Sequence, residues 1–382
     1  VELPEPDPDR DLDRYESAAE LFATWQDTGV LRRDPSPCFY GYKMTFTSES
    51  GEPRSTTGLL GALEVVDSGS GGVLPHEHTM AKPKSDRLDL LRATEVNTSP
   101  VWGLSLAPGL TAAAGRPPTA EDEAGSDLPG GYARATDGEG VIHECWPITD
   151  PVAIRDITSI VAANPVVLAD GHHRYETARA YRDERRLTAG ITGRVDPLAE
   201  PAPYDLVMAF VIELSDDQCE VRPIHRLISS LPSGTDLPAL LEPFFHLTDA
   251  GAPTEENLAS LSARGDLTLL TMHHAWVLTP LPATLRAAEA ATGIPGLDSA
   301  AIAVALDSLP NHQLSYQHGF DQATRAVLEG PADAAFLLRP VSVEQIAGAA
   351  RAGRKMPPKS TFFHPKPRTG FVYRPLRERY SL

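Results

Sequence analysis

The sequence predicts a mixed α/β protein, α+β in the order of its elements rather than a regular βαβ winding. Three observations carry this. The apolar runs Val166–Ala169 and Tyr204–Leu214 have the length and residue types of buried strands. After about residue 230, segments of helical period and of strand character follow one another without a fixed alternation. A chain of 382 residues that is 41% hydrophobic and 23% charged has the composition of a globular protein with room for two domains.

The elements follow from local pattern. Residues 1–13 are acidic and proline-rich and read as extended. Tyr15–Gly29 reads as an amphipathic helix with Ala18, Leu21, Phe22 and Trp25 on one face. Phe39–Phe46 reads as a strand and Leu60–Val66 as a short ambiguous segment. A helix over Ser85–Glu95 and a strand over Val101–Leu106 come next. Residues 107–133, rich in Pro, Gly, Ala and acids, read as a solvated loop insertion. A strand over Gly140–Ile148 precedes a helix over Asp150–Ala162, capped by Thr149 or Asp150. Further helices are expected at Thr254–Ala263, Pro282–Thr292, Asp321–Glu329 and Ser342–Ala352. Further strands are expected at Leu267–Thr271, Ala275–Leu278, Gln313–Tyr316 and Ala334–Arg339. The expected division is one region over 1–230 and a mixed α/β region over 231–382.

The net charge of −18 argues against nonspecific nucleic-acid or anionic-membrane binding, so an anionic ligand needs a local basic pocket. Cys38, Cys145 and Cys219 are odd in number and widely spaced, which fits a reducing compartment and no zinc pattern. No apolar run is long enough to span a bilayer and no secretory signal is visible, so the expected location is the cytoplasm.

The chemistry concentrates in four clusters. In the first, Asp170-Gly171-His172-His173-Arg174 links a strand to a helix expected from Tyr175 to Arg186. N–H groups at a helix start attract anions, and Arg174 can fork onto a phosphate or carboxylate. The second is His76-Glu77-His78-Thr79 with Lys82, Lys84, Asp86 and Arg87. Glu77 suits a general base, the cations suit phosphates, and the two histidines share a face that suits a metal if extended. The third, Pro223-Ile224-His225-Arg226, either supplies a second imidazole–guanidinium pair or ends a surface hairpin. The fourth runs from Lys355 to Lys366 and carries Lys359, Ser360 and Thr361 behind Pro357-Pro358, a basic loop suited to phosphate oxygens but without a Walker cradle.

Six segments carry a resemblance: Leu74-Pro-His-Glu-His-Thr79, Lys84-Ser-Asp-Arg87, Asn97-Thr-Ser-Pro100, Ala169-Asp-Gly-His-His-Arg-Tyr-Glu-Thr-Ala178, Pro223-Ile-His-Arg226 and Met356-Pro-Pro-Lys-Ser-Thr361. In this order they resemble the bacterial and archaeal family called domain of unknown function 1015. That family usually carries a further N-terminal segment with a Pro-Tyr-Asp motif. None precedes residue 15 and the sequence starts at Val1, so a processed product or fragment is expected. The DGHHR turn is similar to one in free-serine kinases of the ParB/sulfiredoxin-like fold. The resemblance implies a ParB/sulfiredoxin-like core elaborated with additional α/β segments, and a phosphotransferase for a small hydroxylated metabolite, L-serine foremost. It implies Glu77 as base, with Asp170, His172, His173 and Arg174 at the transferring group. Asp170 would bind Mg²⁺ or orient a histidine. Gly171, Arg87, His225, Arg226, Lys359, Ser360 and Thr361 would hold the donor, which is ATP, ADP or pyrophosphate. The alternatives are a phosphohydrolase or nucleotidase, a non-catalytic nucleotide-binding regulator, and a metal-dependent hydrolase using His76, His78, His172 and His173.

Overall fold

The computed structural model describes residues 2–49, 51–67, 69–75, 77, 85–118, 131–191 and 200–377. The chain divides into two compact units. The first comprises Val1–Pro75, Ala81–Gln218 and Pro365–Leu382; the second comprises His76–Met80 and Cys219–His364. This differs from a continuous split at 230, because the last residues return to the first unit, where Arg374–Pro375 pairs with Val96–Asn97. Pairing between segments so distant leaves no local periodicity to read.

The first unit is built on a mixed sheet. Its strands are β1 (Phe39–Thr47), β2 (Pro53–Glu64), β3 (Val73–Pro75), β5 (Val101–Ser105), β6 (Ala133–Thr136), β7 (Ile142–Ile148), β8 (Val166–Asp170) and β9 (Leu206–Glu213), with β4 (Val96–Asn97) outside it. The order is β3-β8-β5-β9-β2-β1-β7-β6. β9 lies inside the sheet, and its run Val207–Ile212 is buried throughout, as an apolar run without alternation requires. β5 and β9 are parallel, whereas β5 and β8 are antiparallel with a bulge between Trp102 and Gly103. That bulge sets Trp102 opposite Asp170. Tyr42, Phe210 and Trp102 are buried, with Phe210 in ring contact with both of the others.

Local signals account for the helices. Asp13 caps Arg14–Asp27 in a capping box with Glu16, and Asp150 caps Pro151–Ala162 through the N–H groups of Val152 and Ala153. Leu21 does not join Ala18 and Phe22 in the core but is exposed. The segment read as a solvated insertion departs from expectation at its start. Leu110–Ala114 is a short helix whose Leu110 and Ala114, one turn apart, are fully buried. The Glu213 carboxylate accepts the N–H groups of Gly109 and Thr111, which lets this end of the segment enter the core. Residues 119–130 lie outside the described residues.

The second unit holds β10 (Glu220–Arg222), β11 (Ile224–Ser229), β12 (Phe245–Gly251), β13 (Thr268–Thr271), β14 (Ala275–Pro280), β15 (Gln313–His318), β16 (Ala334–Leu337) and β17 (Phe362–His364). An antiparallel sheet runs β12-β14-β13-β16-β11-β15, and β10 pairs with β17. Helices Glu255–Arg264, Pro282–Thr292, Phe320–Leu328 and Val343–Arg351 match their periodic signals. Asp298–Leu306 is an additional helix; its residues are mostly apolar, so no stripe marks it in the sequence. Among the described residues no helix is long and apolar enough to cross a membrane.

Candidate functional site

The twelve residues singled out for chemistry fall into two sets, one in each unit. In the first unit, β8 ends at Asp170 and the helix His172–Thr188 starts two residues later, three residues earlier than its sequence pattern indicates. Gly171 makes this possible. Its φ of 82° is left-handed, and an added Cβ would lie 3.1 Å from the Arg174 guanidinium and 3.2 Å from the Val101 Cα. The helix has no side-chain cap, and both histidines sit in its first turn.

Asp170 organises the charges here. Its Oδ2 accepts from Arg174 Nη2 at 3.0 Å and its Oδ1 from Lys366 Nζ at 2.8 Å. Arg174 also donates from Nη1 to the Pro100 carbonyl at 2.5 Å, and Lys366 Nζ lies 5.8 Å from the centre of the Trp102 ring. Burial alone would raise the Asp170 carboxyl, but Lys366, then Arg174 and His172, outweigh it and hold it below the ordinary carboxylate value. It therefore stays ionised at any pH near neutrality. The three side chains remain 37% (Asp170), 32% (Arg174) and 34% (Lys366) exposed. Ion pairs so exposed are worth about 1 kcal/mol or less each, so this cluster contributes placement and charge more than stability.

A Mg²⁺ at Asp170 does not fit this donor set. Each carboxylate oxygen is engaged by a cation, and among the described residues no group of three acidic, His or Cys side chains is arranged to hold a metal. Asp170 orients Arg174 and Lys366 instead. Arg87 lies beside a cavity of about 50 Å³ that it shares with Glu2, Ser99, Arg174 and Thr177, and it donates to the Glu2 carbonyl at 2.7 Å.

The segment that carries Lys366 is anchored to the sheet. The Arg368 N–H donates to the Tyr42 hydroxyl at 3.0 Å and its Nε to Asp137 at 2.7 Å. The Tyr42 hydroxyl lies 2.8 Å from His143 Nδ1, and His143 Nε2 lies 3.0 Å from Asp137. A carboxylate only accepts, so His143 Nε2 carries the proton. Burial would raise Asp137, but the bonds from His143, Arg368 and the N–H groups of Val141 and Glu139 hold it well below the carboxylate range. Phe371 packs edge-on against Tyr42 with centroids 5.5 Å apart. The sequence marks Lys366 only as a member of the basic loop and carries no sign of this anchor. Arg368 lies 326 residues from Tyr42 and 231 from Asp137, so only the scarcity of lysine marked the spot.

In the second unit, Glu77 forms an isolated parallel bridge with Met356, and its Oε2 accepts the Ser360 N–H at 3.3 Å. Ser360 and Thr361 are buried. Lys359 is left-handed at φ 61°, and its carbonyl accepts from Arg226 Nη1 at 3.0 Å. Arg226 also donates to the Ile224 carbonyl at 2.5 Å and lies 4.9 Å from the Tyr316 ring centre. Burial lowers its guanidinium, against smaller opposing effects of Tyr316 and Glu77. Glu77, Arg226, Lys359 and Ser360 thus meet in one unit.

His225 and Arg226 form neither a hairpin end nor an exposed pair. They lie in β11, inside the antiparallel sheet, at 2% and 4% exposure. His225 Nδ1 accepts the Leu338 N–H at 3.0 Å, so its Nε2 carries the proton, buried and without a bond among the described residues. Burial, then Arg226 and His318, push its value down to about 4. It is a neutral core histidine, not a ligand contact. His76, His78, Lys82 and Lys84 lie outside the described residues.

A family model described as a protein of unknown function (DUF1015) matches residues 1–300. No curated protein matches the chain. Among solved structures, a free serine kinase in complex with AMP is similar at 12% identity and a TM-score of 0.37, over 80% of this chain and 86% of that one. A conserved hypothetical protein from Pyrococcus furiosus is similar at 12% identity and a TM-score of 0.35, over 80% and 90%. SbnI from Staphylococcus aureus, truncated at its C-terminus, is similar at 11% identity and a TM-score of 0.41, over 83% and 87%.

Proposed function

The chain belongs to the DUF1015 family of proteins of unknown function, and within that family we propose that it is a phosphotransferase acting on a small hydroxylated metabolite, with L-serine as the leading acceptor. One observation carries the reading: a single carboxylate, Asp170, holds two cations at the uncapped start of a 17-residue helix. Lys366, Arg174 and Arg87 against Asp170 and Glu2 leave a net positive site, and the first-turn N–H groups add partial positive charge. Both fit the oxygens of ATP, ADP or pyrophosphate. Phosphoryl transfer places little covalent demand on the protein; positioning and charge stabilisation supply most of the catalysis.

In this reading Arg174, His172 and His173 stabilise charge on the transferring group. The acceptor oxygen forms a bond to phosphorus, the bond to the leaving phosphate or nucleotide breaks, and the hydroxyl proton passes to a general base. A ParB/sulfiredoxin-like core for the first unit is part of the same reading, and no step in it runs through a metal.

The test is a phosphoryl-transfer screen with ATP, ADP and pyrophosphate against L-serine, other hydroxyl-bearing amino acids and small alcohols. A phosphomonoester of the acceptor is expected, lost in His172→Ala while circular dichroism stays unchanged. Release of inorganic phosphate at the same rate with no acceptor present would make the protein a phosphohydrolase instead.

A further inference from the structure

We infer that Lys366 is a further phosphate-contacting residue of the DGHHR turn, presented by residues 365–371, which Tyr42, His143 and Asp137 fasten to the sheet. The inference takes its ligand class from the phosphotransferase reading, while its geometry rests on contacts of its own.

A cation placed only to neutralise Asp170 would be redundant, because Arg174 already bonds that carboxylate. Lys366 instead adds a second positive charge on the other oxygen, at a third exposure, where a ligand can reach it. Its ion pair with Asp170 is too exposed to fix the segment. The segment is fixed two residues further on. Arg368 donates its N–H to the buried Tyr42 hydroxyl and its Nε to Asp137, and Phe371 packs edge-on against Tyr42. Tyr42 and His143 are at 0% and 1% exposure, so the acceptor of the Arg368 N–H lies in the packed core. The ammonium is therefore held at its post by the buried anchor, and the exposed pair can exchange Asp170 for a phosphate oxygen at small cost. Trp102 lies beneath it as an aromatic face.

The experiment is calorimetric binding of pyrophosphate and of ADP to the full chain, its Lys366→Met, Lys366→Arg and Tyr42→Phe variants, and the double variant. Lys366→Met is expected to weaken pyrophosphate binding at least tenfold, and Lys366→Arg to stay within about threefold of the wild type. Tyr42→Phe removes the hydroxyl that accepts from Arg368. It is expected to weaken binding several-fold in the wild-type background and not at all when Lys366 is already Met. Circular dichroism and thermal unfolding of each variant confirm that it is folded. Pyrophosphate binding by Lys366→Met within twofold of the wild type overturns the inference and leaves the phosphotransferase reading standing. Normal binding that depends on Lys366, with no transfer to any acceptor, sinks that reading and supports the inference. A wild-type chain that binds neither probe removes both.

Discussion

The dipeptide His-Arg occurs at His173-Arg174 and again at His225-Arg226, and the two copies have opposite fates. At the first, a left-handed glycine starts a helix, and the pair falls in its first turn, half-buried. Arg174 meets a carboxylate and a carbonyl and stays a third exposed. At the second, the pair lies in β11, where successive side chains point to opposite faces. Both faces are covered, so His225 is neutral and Arg226 donates to the Ile224 and Lys359 carbonyls. The same residue types yield a reactive-looking surface in one place and a core fitting in the other. What decides is the element they belong to, not their chemistry.

Three substitutions or titrations separate the two copies, in order of effect. Arg174→Met should lower phosphoryl transfer by roughly 10²–10³-fold, the usual loss for one charge-stabilising donor, about 3–4 kcal/mol. Steady-state kinetics measures this, and its unfolding midpoint should move little. Full activity in Arg174→Met would erase the distinction between the copies.

Acid should act on the other copy. His225 falls from 6.5 to about 4 in the folded chain, a difference worth about 3 kcal/mol. Between those values the unfolded chain binds the extra proton, so stability rises with pH. The contribution is complete above pH 6.5 and is lost as the pH falls toward 4. Urea unfolding of the wild type and His225→Gln should therefore give a stability difference that shrinks by about this amount between pH 7 and pH 4. A difference independent of pH would mean that His225 is not buried neutral.

The smallest effect is conformational. Gly171→Ala places a Cβ at positive φ and against the Val101 backbone, which should cost about 1–2 kcal/mol in urea unfolding. A neutral outcome would show that the helix start is less tightly set than the geometry requires.

Much of the fold was legible from local pattern. Pro282–Thr292 falls where the sequence places it, and Asp150, one of the two expected caps, caps Pro151–Ala162. The DGHHR turn was legible because its unusual residues are consecutive. The rest depends on long-range pairing. Nothing local shows that Ser360 donates to Glu77, 283 residues away, or that Arg368 meets Tyr42 across 326. Burial of His225 was hidden for the same reason: β11 becomes internal only once β15 and β16 flank it. The pairing of Lys366 with Asp170, 196 residues apart, was hidden in the same way.

The most direct measurement is a crystal structure of the full chain soaked with ADP. The account predicts phosphate oxygens within hydrogen-bonding distance of Arg174 and Lys366 at the start of the helix His172–Thr188. Well-ordered ADP bound elsewhere, with the Asp170 pairs intact and no phosphate at that helix start, would contradict it.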